Sequence, residues 1–302
     1  MKFHLIHNSK RAYVGQTKET PKLFESACAN LSIDFVSHDI QETNLSELPV
    51  LGTNDLLYLS AISNEAIEAQ RRMIGPGCTS FHDNWRNVFS VRAASYFLHK
   101  AHGLPVIPSF SGIPGSEEEL QKCIGRLGPF PIIIKVTGGS LGVGVMRVDS
   151  LESMRSVLEY LQSLQVNVLV RKFIEHEYYV RAVVVGDKVV ASHATFNMSG
   201  EFRTNAGDDA LHKREARVLS AEEQAMAVEA VRLLGIETGG VDLLFDKEGS
   251  PFIAEVNFPN NFTTTQSVTG VNIASEMVAY LAKKAKRRLD VRVTSDILNY
   301  TK

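Results

Sequence analysis

The chain has 302 residues, 44 % of them hydrophobic and 22 % charged, and carries a formal net charge of −2. That balance is typical of an ordinary globular protein and leaves no electrostatic footprint for nucleic acid. Cys28, Cys78 and Cys123 lie far apart and form no Cys-x-x-Cys, which excludes a disulfide framework and a thiolate metal centre. No stretch reaches the roughly eighteen apolar residues of a membrane span, and the apolar start is too short for a signal-peptide core. A reducing cytoplasm is therefore the expected compartment.

In chain order, "FHLI" (3–6) predicts a first strand. A helix follows over 20–31, with Leu23, Phe24, Ala27 and Cys28 on one face. "IDFVSHD" and "DLLYLS" (55–60) are two further strands, the second continuously apolar as in a buried parallel sheet. A short helix over 63–73 completes a small α/β unit. Residues 84–102 predict one helix, stopped by Gly103 and Pro105. "PVIPSF" is extended. Ser116 and Glu119 form a capping-box pattern ahead of the stripe Leu120, Cys123, Ile124 and Leu127. "FPIIIKV" and "GVMRV" are strands, 151–164 is a helix and "NVLVRKFI" is a strand. "YYVRAVVVGDKVVASHATF" is a hairpin turning at Gly186–Asp187. A helix over 221–234 is capped by Ser220 and Glu223 and ended by Gly235. "GGVDLLF" and "PFIAEVNF" make a second hairpin. A last helix runs over 272–288, its end marked by the basic block "KKAKRR". The chain divides into 1–80, 81–185 and 186–302.

Two stretches carry chemistry. "KVTGGSLGVGVMRV" (135–148) places four glycines and Ser140 between two strands, directly after Lys135. It has neither the P-loop order nor the dinucleotide fingerprint, and a strand rather than a helix follows it. Glycines let backbone N–H groups approach an oxyanion closely, and Lys135 adds a point charge. The loop is thus either a flap over a polyphosphate or an ordinary flexible hairpin. The second stretch decides between them. Asp242 and Glu255 are lone charges in apolar strands, and burying a lone carboxylate is costly. Glu255 and Asn257 are two apart and share a strand face, on which Asp242 can converge if the hairpin registers as its turn suggests. Two carboxylates and an amide oxygen make a hard donor set that suits Mg²⁺, or Mn²⁺, and not zinc. The alternative is a solvated sheet face. The histidines have no metal-ligand spacing, and no Ser-His-Asp arrangement competes.

These pieces resemble the ATP-grasp superfamily, in particular the branch of ribosomal-protein glutamate ligase and the amino-group-carrier lysine-biosynthesis ligases. The likeness covers roughly 85–282 through "IIIKVTGGSLGVGVMRV", "VLVRKFI", "VRAVVVGDKVVAS", "GEFRTN", "LGIETGGVDLLF" and "FIAEVNFPNNFTTTQSVTGVNIASEMVAYL". The resemblance implies an ATP-grasp fold of α/β class with α+β subdomains. The N-terminal α/β domain is 1–80, the central domain with the flap 81–185, and the C-terminal domain with the metal site 186–302. Two sheets would clamp ATP. Lys135 would touch the α- or β-phosphate, and Gly138, Gly139, Ser140, Gly142 and Gly144 would cover the phosphates. The backbone of Lys172, Phe173 and Ile174 would read adenine, and Glu177 would hold the ribose. Asp242, Glu255 and Asn257 would ligate magnesium. Arg203, with Asn205 beside it, would face the γ-phosphate and the acyl phosphate.

The chain departs from the family pattern at four places. Arg92 stands where a lysine is usual. "RK" replaces Gln-Glu before Phe173. "AGDDALHKR" replaces His-Arg-Gly-Gly after "FRTN", so Asp208 and Asp209 either face a cationic substrate or sit in solvent. "FPNN" replaces Ser-Pro-Gly after "EVN". The resemblance implies an ATP-dependent ligase joining a carboxylate to an amine through an acyl phosphate, on an amino acid, peptide or protein tail, in a chain that forms homo-oligomers. A kinase acting on a hydroxyl and a silent ATP-binding module are the alternatives.

Overall fold

The structure is a computed structural model describing residues 1–9, 16–61, 63–82, 95–136, 142–197, 202–203 and 212–300. Three sheets organise it. The first is parallel, in the order β2-β1-β3-β4, with β1 Lys2–His7, β2 Asp34–Asp39, β3 Asp55–Leu59 and β4 Thr79–Ser80. Helix α1 (Gln16–Asn30) sets Phe24, Ala27 and Cys28 against Phe3 and Leu5. Helix α2 (Asn64–Met73) sets Ala66, Ala69 and Met73 against Ile6, Leu57 and Leu59. Helices cover both faces, which is why the central β3 reads as an apolar run without alternation.

The second sheet is antiparallel, in the order β5-β8-β6-β7, with β5 Ser109–Ser111, β6 Ile132–Val136, β7 Val145–Val148 and β8 Val168–Lys172. One face packs Ile132, Ile134, Val148, Val168 and Val170 against α4 (Glu117–Leu127) and α5 (Leu151–Ser163). By the period of two, the other face carries Ile133, Lys135, Arg147, Leu169 and Arg171. Helical residues 95–101, α3 here, precede this sheet.

The third sheet runs β11-β10-β9-β12-β13, with β9 Tyr178–Val185, β10 Lys188–Asn197, β11 His212–Ala216, β12 Thr238–Phe245 and β13 Pro251–Asn257. Its inner face packs on α6 (Ala221–Leu233) and α8 (Ile273–Tyr300) in the largest apolar core. That core is continuous with the N-terminal unit through Phe24 and Phe262, whose ring centroids lie 5.6 Å apart.

The structure alters five sequence expectations. Strand β9 hydrogen-bonds to β10 and β12, so it belongs with the segment after residue 185 rather than the one before. Helix α8 continues to Tyr300, because no glycine or proline follows Gly270 to stop it. The basic block is mid-helix, where Ala285 is buried and Lys284 pairs with Glu237 at 2.7 Å. Ser116 caps α4 as expected, but the Glu119 carboxylate accepts from the Gly115 N–H, one residue short of the full box. Strand β11 and helix α7 (Thr263–Thr269) were not foreseen, since both are polar and lack an apolar period. Of the helix expected over 84–102, residues 84–94 lie outside the described residues.

Candidate active site

Register places the site. Asp242 on β12 pairs with Glu255 on β13, and Gly240 pairs with Asn257. A bulge falls between these pairs and Leu243↔Ile253, leaving Ala254 as the extra residue. Ile253 lies two before Glu255, so a regular strand would put both on the core face. The bulge breaks that phase. Ile253, Val256 and Phe258 stay in the core, while Glu255 and Asn257 turn outward with Asp242. The neighbouring β9 places Arg181 opposite Asp242.

Charge compensation follows. Arg181 grips Asp242 with both nitrogens of its fork: Nε donates to Oδ1, and Nη2 donates to Oδ2 at 2.9 Å. Asn257 Nδ2 donates to the same Oδ2 at 3.2 Å, leaving its carboxamide oxygen as an acceptor. A Cβ at Gly240 would crowd this pair, lying 3.1 Å from Arg181 Cδ and 3.3 Å from Asn260 Cβ. Burial pushes the Asp242 carboxyl up, the Arg181 ion pair opposes it, and the same pair holds the guanidinium firmly charged. Glu255 differs. Its side chain is 42 % exposed and accepts from Lys135 Nζ at 2.6 Å, across from β6 of the other sheet. Burial acts on it most strongly and raises it, but Lys135, Arg181 and Arg171 together hold it below its ordinary value.

Three cations, Lys135, Arg171 and Arg181, thus surround two carboxylates. Arg171 reaches from β8 to the bulge, its Nη1 donating to the Ala254 carbonyl at 3.2 Å.

The glycine hairpin is closed at its base by Val136 N–H to Gly144 O (2.8 Å) and Val145 N–H to Gly142 O (3.3 Å). Gly142 and Gly144 have φ of 74° and 80°. Arg203 Nη1 donates to the Gly142 carbonyl at 3.5 Å, which brings the expected γ-phosphate arginine against the flap. Gly138, Gly139, Ser140, Asn205 and Arg92 lie outside the described residues, as do Asp208 and Asp209.

The hinge is partly spent on the protein itself. The Lys172 N–H donates to the Pro108 carbonyl (2.9 Å), and the Ile174 carbonyl pairs with His176 Nδ1 at 2.7 Å. Lys172 to Ile174 therefore offer a base fewer backbone groups than the resemblance implies. Beside them, Ile107, Ile174, Tyr179 and Leu244 form a small apolar cluster, with Phe252 and Ala254 against it. Glu177 is exposed, one residue before β9.

Sequence reasoning missed Arg181, Arg171 and Arg214. The first signal available was the arginine in "YYVRAVVV", as isolated in its apolar strand as Asp242 is in its own. His193 and Arg214 join the same sheet face through the pairings His193↔Arg181 and Thr195↔Arg214. His193 Nδ1 meets Thr265 Oγ1 at 3.0 Å under α7, and burial with two nearby arginines lowers its pKa to about 4.

Among the described residues no group of three or more His, Cys, Asp and Glu is placed to hold a metal. The set here is two carboxylates and an amide. Its donors are all oxygen and lie on one face, so it fits a magnesium-sized cation that takes its other ligands from phosphate and water.

Two sheets facing each other across paired carboxylates, with a glycine hairpin rising from one of them, define an ATP-grasp fold. The solved ligase PsnB with minimal precursor, Mg and ADP shares it at a TM-score of 0.70 and 15 % identity, covering 94 % of this chain and 98 % of that one. D-Alanine–D-alanine ligase from Bacillus anthracis does so at 0.68 and 16 %, covering 97 % and 99 %. A family model, the RimK-like ATP-grasp domain, matches residues 94–281, and the chain belongs to that family. A probable alpha-L-glutamate ligase of Picosynechococcus sp. is 32 % identical over 200 residues, 65 % of this chain and 63 % of that protein. The chain thus spans a little under two thirds of the length of the curated relatives it matches.

Proposed function

We propose that the chain is an ATP-dependent carboxylate–amine ligase, forming an amide through an acyl phosphate with release of ADP and phosphate. One observation carries the reading: Asp242 and Glu255 are opposed on one sheet face, and Lys135, at the root of the flap, reaches Glu255 across the cleft. Relatives named as glutamate ligases and neighbours named as ligases support it.

Asp242, Glu255 and Asn257 would hold Mg²⁺ or Mn²⁺, which supplies charge neutralisation at phosphate oxygens. The chain's own groups do the rest. Lys135 leaves Glu255 for a phosphate oxygen. Arg203 stabilises the charge that develops on the γ-phosphoryl group as the substrate carboxylate attacks it. The flap excludes water, which would otherwise hydrolyse the acyl phosphate. The amine then attacks the acyl carbon, and phosphate departs. The acid is an amino acid, a peptide or a protein tail.

The test is ADP release from magnesium-ATP against a panel of amino acid pairs, with mass analysis of products. Full turnover should need both an acid and an amine, and the product mass should equal their sum less one water. A stable phosphorylated product from a single substrate, or no ADP with any pair, overturns the reading.

A further inference from the structure

We infer that Arg171 is a positioning residue that aims Glu255 by pinning the bulge in β13 from the opposite sheet. The inference rests on the magnesium–nucleotide reading above.

The bulge is what turns Glu255 outward, and an edge strand has no neighbour to hold such an irregularity. Strand β13 is the edge of its sheet. Its outward backbone groups at the bulge are met from elsewhere: the Ile253 N–H donates to the Pro105 carbonyl at 2.8 Å, and the Ala254 carbonyl accepts from Arg171 at 3.2 Å. Pro105 and Arg171 belong to one unit, because the segment leaving Pro105 becomes β5 and pairs with β8 at Ser109↔Arg171. The strand entering the adenine hinge is thereby tied to the residue beside a metal carboxylate. Arg171 has no substrate or metal role of its own here; it acts through the Ala254 carbonyl and through its charge near Glu255.

The geometry predicts a split between metal and base. Mn²⁺ affinity at saturating ADP, read by electron paramagnetic resonance, is compared with ADP affinity in a chelator, read by calorimetry. In the full-length chain, Arg171→Met should weaken Mn²⁺ about tenfold, the low end of effects seen for groups that orient metal ligands. Metal-free ADP affinity should change less than about threefold, as expected of a group that shares no partner with the nucleotide. Arg171→Lys, which keeps a donor and the charge, should recover most of the loss. If the methionine variant does not fold, Arg171→Gln takes its place, its amide being two bonds shorter and out of reach of the carbonyl.

Equal losses of Mn²⁺ and metal-free ADP, or wild-type Mn²⁺ affinity in the neutral variant that folds, would refute the positioning role. Failure of the unaltered chain to hold Mn²⁺ with ADP sinks the nucleotide reading itself, and is told apart by needing no variant.

Discussion

Asp242 and Glu255 would serve one cation, yet the chain treats them as different problems. Asp242 is buried and locked to Arg181, whereas Glu255 is 42 % exposed and meets a flexible lysine. Breaking a buried pair by removing one partner leaves an uncompensated charge, at about 3–5 kcal/mol, while an exposed pair contributes about 0–1 kcal/mol. Asp242→Asn should therefore lower stability by several-fold more than Glu255→Gln, with no metal or nucleotide added, although both should abolish the proposed ligation. Chemical denaturation of the two variants measures this, and equal midpoints would contradict the burial argument. Asp242 and Glu255 stand out in the sequence because a charge in an apolar strand is conspicuous on its own, whereas the role expected of Arg203 comes from the resemblance alone. Arg181 was equally conspicuous, but its significance appears only when β9 is known to lie beside β12. Arg171 gave no signal, since its target is a backbone carbonyl.

Hairpins, capped helices and buried strands were legible because each has a local cause. Ser220 and Glu223 exchange both bonds of the capping box, as their spacing predicts. The bulge, α7 and β11 depend on what packs against them, and no period in "HKREA" or "TTTQSVT" records that. The flap illustrates the legible kind. Gly144 closes the hairpin at φ 80°, where an added Cβ would also lie 3.1 Å from Val136 Cβ. A left-handed non-glycine residue costs about 1–2 kcal/mol, so the turn in Gly144→Ala should open rather than strain. Global stability should fall by no more than about that amount. ADP affinity should drop if the hairpin base sets the cover over the phosphates. Calorimetric titration with ADP checks this, and unchanged affinity would show that the hairpin base does not organise the phosphate cover.

At the scale of the molecule, the N-terminal sheet carries a buried histidine group that the proposed chemistry does not use. His4 Nδ1 meets His38 Nε2 at 3.0 Å across β1 and β2, and His7 Nε2 meets Ser37 Oγ at 2.7 Å. Burial, reinforced by the other two imidazoles, lowers His38 to about 4; burial also lowers His4 and His7, where Asp55 and Asp39 work in the opposite direction. A histidine held this low stays neutral in the folded chain, whereas the unfolded chain takes up a proton near pH 6.5. Its contribution is therefore complete above pH 6.5 and is lost as the pH falls toward 4. For His38 alone the linkage amounts to about 2 kcal/mol by pH 5, and His193, lowered to about 4 in the other large unit, adds a loss of the same sign. Phe24 and Phe262 meet edge to face and join the two units into one core, so protonation in either should lower a single shared unfolding transition. Thermal unfolding followed from pH 7 to pH 5 should show one steadily falling midpoint, made shallower by His38→Gln. Two separating transitions would mean that the N-terminal unit melts on its own. A flat midpoint would mean that these histidines take up protons in the folded chain as readily as in the unfolded one, so that burial does not hold them neutral.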